Sequence, residues 1–187
     1  MTEATTIDAA RAAAFQFEGQ DIAWLVDHWA THRPDKVFLI WEPKDGPSRS
    51  WTYAEFAEET KAVAAGLAAR GVGVGDMVLI HAENCPEGVI GWYACARVGA
   101  VAVTTNTRSV AAEVNYFITH TGCVGAITQP RYAALVAEAG PDLGWIVVTD
   151  DNSGVAATDE EAAHGRDGWA SLHGDPSDAP ERDRDPM

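Results

Sequence analysis

Basic residues and cysteines are scarce in this sequence. Its 187 residues include 13 Lys and Arg against 28 Asp and Glu, which gives a formal net charge of −15. Nucleic-acid binding needs clustered positive charge, so the composition argues against it and against an anionic membrane surface. The three cysteines, Cys85, Cys95 and Cys123, form no Cys-x-x-Cys pair, and the N-terminus has no apolar run typical of a secretory leader. We therefore predict free thiols and a cytoplasmic protein.

Several motifs that mark catalytic or metal sites are also missing. There is no H-E-x-x-H, no G-x-S-x-G and no Gly-Lys-Ser/Thr, so we predict neither a metal site nor a catalytic residue in this chain. The Gly-rich stretch 71–75 follows a predicted helix and precedes a predicted strand, which is the reverse of a dinucleotide-binding loop and indicates a helix end with a tight turn. Arg97 and Gly99 interrupt the apolar run 88–103, which favours a buried helix and strand over a membrane span.

The sequence does contain a regular alternation of helix and strand patterns. It predicts a helix over 22–32 capped by Asp21, a β-hairpin around Asp45-Gly46 and a helix opened by the capping box of Thr52 and Glu55. The remaining predicted elements are strands at 77–82, 100–104, 123–128 and 145–149, and helices at 86–99, 109–122 and 131–139, the helix of 109–122 being capped by Ser109. Continuous apolar strands that alternate with helices predict an α/β fold, with an open, mostly parallel sheet and helices on both faces.

Composition divides the chain into three parts. Residues 1–20 are rich in Ala and polar residues and show no boundary signal, so we make no prediction of order for them. Residues 21–149 carry the periodic pattern and are predicted to form the α/β domain. Residues 150–187 hold 11 acidic and 3 basic residues with much Gly and Pro, which predicts an acidic loop or linker. Within it, Trp169 and Leu172 are placed to anchor one short helical turn.

Three polar groups follow predicted strands, at the edge where parallel sheets usually bind ligands. For His81, a packing role and an acid–base role are both open. Asp150-Asp151 indicates a solvated turn. Asn106-Thr107-Arg108 is the sharpest candidate, because a guanidinium at this edge can hold a phosphate by two charge-assisted hydrogen bonds. The alternatives for Arg108 are a salt bridge or a cap for the following helix.

Over residues 24–150 the chain resembles the opening of the adenylate-forming enzymes, a family that includes acyl-CoA synthetases, luciferases and peptide-synthetase adenylation domains. The order and spacing of several short motifs carry the resemblance. They are Thr52-Tyr53-Ala54-Glu55-Phe56, Gly66-Leu67, Gly71-Val72, Gly75-Asp76-Met77-Val78, Asn84-Cys85-Pro86-Glu87, Arg97-Val98-Gly99-Ala100-Val101 and Asn106-Thr107-Arg108. The Asn-Cys-Pro-Glu form is most similar to acyl-CoA ligases, including those of the carnitine/crotonobetaine type.

The resemblance implies an ATP-dependent, AMP-forming acid–CoA ligase that acts on a fatty or small organic acid. The carboxylate attacks the α-phosphate of ATP with the help of Mg²⁺, giving an acyl-adenylate and pyrophosphate, and the CoA thiol then displaces AMP to form a thioester. In some CoA ligases of the family, the arginine of Asn-x-Arg contacts a CoA phosphate, which implies this role for Arg108. Thr107 stands where proline is commoner in that motif.

The sequence lacks other parts of the family's machinery, namely the T-S-G-T-T-G-x-P-K phosphate loop, the Y-G-x-T-E segment, the ribose-binding aspartate and the C-terminal lysine. We therefore expect an N-terminal part of an AMP-binding domain that is inactive alone and binds ATP, Mg²⁺ and CoA weakly at most. We also expect an uncovered sheet face through which the chain self-associates. The alternative is a non-catalytic α/β binding or interaction module from a truncated gene.

Overall fold

The computed structural model of the protein describes residues 20–162 and 167–181. The strands, in chain order, are β1 (Val37–Trp41), β2 (Arg49–Thr52), β3 (Met77–His81), β4 (Val101–Thr104), β5 (Cys123–Thr128), β6 (Ile146–Val148), β7 (Asp151–Asn152), β8 (Val155–Ala156) and β9 (Asp167–Gly168). The α-helices are α1 (Ile22–His32), α2 (Tyr53–Ala69), α3 (Pro86–Val98), α4 (Ala111–Thr121), α5 (Pro130–Ala139) and α6 (Asp159–Ala162). Two 3₁₀ turns follow, at Trp169–Leu172 and Pro176–Asp178.

The main sheet has five parallel strands in the spatial order β4-β3-β5-β6-β9. The chain leaves β3 for β4 on one side, then returns past β3 to β5 on the other, which makes β3 the central strand where the winding direction reverses. β1 and β2 form a separate antiparallel hairpin. This arrangement confirms the predicted α/β fold with its N-terminal hairpin. Among the described residues, no helix has both the length and the apolar character needed to cross a membrane.

Helices cover both faces of the sheet, which explains why its strands are continuously apolar. Val78 of β3 packs with α1, α2 and α3 in one core cluster. Leu79, the next residue, points to the opposite face and packs with α4 and α5 in a second cluster. Because both faces of β3 are covered by helices, the side chains of Val78 and Leu79, one on each face of this strand, are buried and apolar.

The helix ends follow the local signals of the sequence. The Asp21 side chain accepts a hydrogen bond from the Trp24 amide at 2.7 Å, as predicted for the cap of α1. Thr52 and Glu55 form the predicted capping box of α2, each side chain accepting a hydrogen bond from the other's backbone amide at 3.2 and 2.8 Å. Gly99 ends α3 in the left-handed conformation, with φ of 82°, a geometry that glycine adopts without strain.

The predicted start of α4 was wrong. The cap residue is Val110, not Ser109, and the Val110 amide donates to the Glu113 carboxylate at 3.2 Å. Ser109 instead belongs to the preceding turn, where its amide donates to the Asn106 carbonyl at 3.0 Å. The helix therefore begins at Ala111, one residue later than a cap at Ser109 would place its start.

The segment predicted as an acidic loop or linker contains ordered structure that packs on the domain. Trp169 is 6% exposed and Leu172 is fully buried in the 3₁₀ turn that the sequence indicated. Arg70, at the end of α2, donates to the Ser171 carbonyl at 3.0 Å and forms an ion pair with Asp167 at 3.1 Å. The apolar residues of an otherwise polar stretch therefore attach it to α2. The domain boundary at 149–150 stays a prediction.

A histidine and a carboxylate join this segment to α2 and make the attachment dependent on pH. His173 Nε2 lies 3.8 Å from Glu59 Oε1, and Nδ1 of the same ring lies 3.2 Å from the Trp169 carbonyl. Interaction with Glu59 raises the pKa of His173 above its usual 6.5, and His173 in turn lowers the pKa of Glu59 below 4.5. The pair therefore stabilises the fold most at a pH between those two values.

We expect the His173 contribution to stability to decrease as the pH rises from 6 to 8. A raised folded-state pKa gives stability that is complete below 6.5 and is lost as the pH passes through the folded value. The free energy of unfolding should therefore favour wild type over His173→Gln by about 0.5 kcal/mol at pH 6 and by less at pH 8. Urea unfolding of both proteins at both pH values measures this difference. An equal difference at pH 6 and pH 8 would contradict the ion pair.

Candidate functional site

The carboxyl ends of β3, β4 and β5 meet at one edge of the main sheet. The register pairs Ile80 with Thr104 and His81 with Thr128, so these strands end side by side. The loops that follow them carry the polar groups at 83–84, 105–108 and 129–131. Ligands of open α/β sheets usually bind at such an edge, next to the strand where the winding direction reverses. This edge is therefore the candidate site.

A cavity of about 510 Å³ lies at this edge, between the start of α3, the ends of β3 and β4, and the β1 strand of the hairpin. Apolar side chains dominate its lining. The lining residues are Leu39, Trp41, Ile80, Ala82, Glu83, Asn84, Cys85, Pro86, Gly88, Val89, Trp92, Thr104 and Thr105. A few polar groups among apolar walls are typical of sites that take a small organic molecule.

Cys85 is the one thiol in the lining of this cavity, and its surroundings make it unreactive. The Gly88 amide donates to Cys85 Sγ at 3.4 Å, so the thiol caps the first turn of α3. Burial raises the pKa of Cys85 to about 12. The nucleophilic form of cysteine is the thiolate, which is almost absent at pH 7 for such a group. Cys85 therefore has a structural role here and does not supply a nucleophile.

Arg108, the residue predicted to contact phosphate, lies exposed in the loop after β4. Its backbone amide donates to Asn106 Oδ1 at 2.9 Å, which braces the turn. In the described parts of the chain its guanidinium forms no ion pair, and α4 is capped by Val110 and Glu113 instead. Among the described residues Arg108 takes up neither alternative, and its phosphate role stays a prediction.

A buried hydrogen-bond network supports the edge, and the sequence analysis missed it. Gln129 is fully buried; its side-chain carbonyl accepts from the Glu83 amide at 3.0 Å and its amide donates to Ser153 Oγ at 2.6 Å. Tyr132 donates to the Glu83 carboxylate at 3.0 Å. These bonds hold the loop after β3 against the loop after β5. The available signal was a polar residue directly after a strand, as at Gln129.

His81 and Asp151 occupy less exposed positions than a solvated edge would give them. His81 is fully buried, which agrees with the packing interpretation. Asp150 is exposed in a bend, whereas Asp151 begins the β7–β8 hairpin and accepts from the Gly154 amide at 2.7 Å. Sequence alone places Asp150 correctly but does not show the hairpin that follows it.

Some apolar side chains near the cavity remain exposed to solvent. Val89 and Trp92 of α3, which line the cavity, are each 37% exposed, and Val101 lies exposed at the opposite end of β4, the outer strand of the sheet. Large exposed apolar groups that lie close together often contact a partner. Self-association through this face stays a prediction.

The parallel sheet, with helices on both faces and a cavity at its carboxyl edge, defines an α/β domain. Residues 26–186 match the family described as AMP-binding enzyme. The chain belongs to that family, and its assignment as an adenylate-forming, acyl-CoA synthetase-like sequence is thereby confirmed.

Two curated relatives and one solved structure illustrate the match. Naringenin synthase of Pestalotiopsis fici is 35% identical over 131 residues, which is 70% of this chain and 5% of that protein. Crotonobetaine/carnitine–CoA ligase of Citrobacter koseri is 29% identical over 141 residues, 73% of this chain and 27% of that protein. Acetoacetyl-CoA synthetase from Streptomyces lividans shares the fold with a TM-score of 0.68 and 23% identity, over 82% of this chain and 25% of that one. The chain thus spans 27% or less of the two curated relatives.

Proposed function

We propose that this chain forms part of a cytoplasmic, ATP-dependent, AMP-forming acid–CoA ligase that converts a fatty or small organic acid into its CoA thioester. The family match over residues 26–186 carries the proposal. Relatives named as CoA ligases and the free guanidinium at the sheet edge support it. The partners of the complete enzyme are then the carboxylic acid and CoA.

The described residues fit one of the groups that such a ligase uses. An exposed guanidinium with no ion pair suits a phosphate, which it can hold by two parallel hydrogen bonds, and Arg108 is such a group. CoA supplies the thiol that displaces AMP in the second half-reaction. The described residues contain no cluster of three His, Cys, Asp or Glu that could hold a metal ion. Mg²⁺ is usually held by one or two carboxylates together with substrate phosphates, so the roles assigned to these residues involve neither Mg²⁺ nor ATP.

In this proposal the residues of the sheet edge bind and orient CoA. Arg108 holds a phosphate of CoA in the loop after β4, where its side chain is exposed. Asn106 braces the turn beneath it through the hydrogen bond to the Arg108 amide. The neutral Cys85 thiol does not compete with the CoA thiol as a nucleophile, because burial raises its pKa to about 12.

We expect Arg108→Ala, in the full-length ligase, to raise the KM for CoA by roughly 10- to 100-fold, since a hydrogen bond to a charged group contributes about 1.5–3 kcal/mol and 1.4 kcal/mol is tenfold. Arg108→Lys should recover only part of the loss, because lysine keeps the positive charge but lacks the planar guanidinium that can donate two parallel hydrogen bonds. Steady-state kinetics with CoA as the varied substrate measures both effects. Pyrophosphate–ATP exchange, which reports adenylation alone, should be almost unchanged because CoA takes no part in it.

The control for this experiment is Arg33→Ala, which removes an exposed arginine at the end of α1 that is not part of the cavity lining. It should leave the KM for CoA at the wild-type value. If Arg108→Ala lowers adenylation and thioester formation equally, the arginine is structural and the proposed contact is wrong.

We further expect the 187-residue chain alone to catalyse no pyrophosphate–ATP exchange. Its sequence holds no T-S-G-T-T-G-x-P-K loop, and stabilising the transferred phosphoryl charge requires cationic and backbone donors of that kind. A panel of aliphatic and aromatic carboxylic acids, assayed against a no-enzyme control, makes the measurement. Exchange above that control, retained after a second purification step, would show that the described domain is catalytic by itself.

A further inference from the structure

His81 is a buried histidine that the proposed reaction does not use. It ends β3, is fully buried, and contacts the Tyr132 ring edge to face, with ring centroids 5.3 Å apart. Burial lowers the pKa of His81, so the ring is neutral at pH 7 and carries a single N–H. Within the described residues, His81 Nε2 has no hydrogen-bond partner. The ring therefore makes its hydrogen bond through Nδ1.

The partner of Nδ1 is the hydroxyl of Thr105, 2.8 Å away. A hydroxyl both donates and accepts, so this bond forms in either tautomer of the neutral ring. With the proton on Nδ1, the ring donates to Thr105 Oγ1; with the proton on Nε2, the hydroxyl donates to the ring. A valine of the same shape at position 105 would leave Nδ1 buried and unpaired, which is costly for any buried polar atom.

Thr105 is the point where the Arg108 loop is attached to the central strand. Its amide donates to the Ile80 carbonyl at 3.1 Å, and its side chain contacts the neighbouring His81. Beyond Thr105 the loop is held by its own bonds, in which the Arg108 amide donates to Asn106 Oδ1 and the Ser109 amide donates to the Asn106 carbonyl. The hydrogen bonds between 105–109 and the rest of the described structure therefore all end on β3.

We propose that His81 is a positioning residue which, through the Thr105 hydroxyl, fixes the 105–109 loop and so sets the position of Arg108 in the loop that follows β4. The role assigned to Arg108 rests on the proposed function, whereas the attachment of the loop does not. Thr105 also lines the cavity, so the bond joins a buried histidine behind the sheet edge to the surface where a ligand would lie.

The attachment is tested in the 187-residue chain by amide hydrogen exchange followed by NMR. Thr105→Val should speed the exchange of the Thr105 and Ser109 amides about tenfold, the factor that corresponds to 1.4 kcal/mol. Thr105→Ser, which keeps the hydroxyl, should restore most of the protection. The ¹⁵N resonance of His81 Nδ1 should shift in Thr105→Val and stay near its wild-type position in Thr105→Ser.

Thr128→Val is the matched control, because it removes a different buried bond to the same histidine, the 2.7 Å bond from the Thr128 hydroxyl to the His81 carbonyl. It should lower overall stability without a selective effect on 105–109 or on the His81 ring resonance. Equal loop exchange in wild type and Thr105→Val, or the same loop response to Thr128→Val, would overturn the proposal.

A second measurement, in the full-length ligase, separates failure of this proposal from failure of the proposed function. Thr105→Val should raise the KM for CoA severalfold, leave kcat at saturating CoA unchanged, and have almost no further effect when combined with Arg108→Ala. If Arg108→Ala raises the KM but Thr105→Val does not, His81 does not position the arginine and the proposal is wrong. If Arg108→Ala has no effect, the CoA contact is wrong, and the exchange experiment alone decides whether His81 fixes the loop.

Discussion

Replacing Asp27 with alanine is expected to lower the free energy of unfolding by about 3 kcal/mol, because it leaves a buried charge without its partner. The Arg97 guanidinium binds Asp27 through two hydrogen bonds, of 2.9 and 2.8 Å, that join α3 to α1. The arginine side chain is 9% exposed, whereas the aspartate is 34% exposed. Loss of the aspartate therefore leaves the Arg97 guanidinium buried, without its counter-ion and with little access to water. Chemical denaturation of wild type and variant measures the difference.

Replacement of the other member of the ion pair, Arg97, serves as the control. Arg97→Met removes the buried charge, keeps much of the side-chain volume and leaves Asp27 in contact with water, so it should cost clearly less than Asp27→Ala. The double variant, Asp27→Ala with Arg97→Met, should be more stable than Asp27→Ala alone. If the double variant is the less stable of the two, the arginine is not a stranded charge and the explanation fails.

Gly66→Ala is expected to be the second most damaging change, with a loss of about 2–3 kcal/mol in the free energy of unfolding. Glycine in a helix normally makes the helix less stable than alanine by about 0.5–1 kcal/mol, so the ordinary expectation is a gain. Here a Cβ at Gly66 would lie 1.7 Å from the Leu172 carbonyl oxygen, a distance at which the backbone must move. The 3₁₀ turn would then have to leave its place on α2.

Gly88→Ala is the matched control, because it makes the same change in another helix with room for the methyl group. The nearest atom to a Cβ at Gly88 is the Cys85 sulfur at 3.5 Å, an ordinary contact. This variant should be as stable as wild type or slightly more so. Thermal unfolding of the two variants beside wild type gives the comparison. A stable Gly66→Ala protein in which Trp169 keeps its buried fluorescence would contradict the close approach.

The parts of the fold that the sequence predicted are those specified by local signals. The capping box at Thr52 and Glu55 and the left-handed glycine at Gly99 act within one helical turn, so their residue types predict the element ends directly. The parallel sheet followed from the apolar strands, because both faces of β3 pack on helices. The family followed from the order and spacing of motifs between residues 52 and 108, and the family match over residues 26–186 confirms it.

The structural features that the sequence did not predict depend on contacts between residues far apart in the chain. Gln129 is a plausible loop residue by sequence, and it becomes a buried support only because Glu83 and Ser153 lie on either side of it. Acidic composition predicted a linker after residue 149. Two apolar residues, Trp169 and Leu172, are instead buried against α2 and attach this segment to the domain. Average composition describes a segment poorly when a few side chains supply most of its contacts.

The contact between α2 and the 3₁₀ turn also affects the order in which the chain folds during synthesis. Arg70 and Ser171 are 101 positions apart, so the turn cannot cover α2 until most of the domain has been made. At elongation rates of roughly 5–20 residues per second, the surface of α2 around Gly66, which the 3₁₀ turn later covers, stays exposed for about 5–20 s after α2 has been synthesised. Non-local contacts of this kind form late because loop closure precedes any gain from packing. For that interval the nascent chain exposes an apolar surface that the finished protein hides, and a chaperone has its opportunity to bind there.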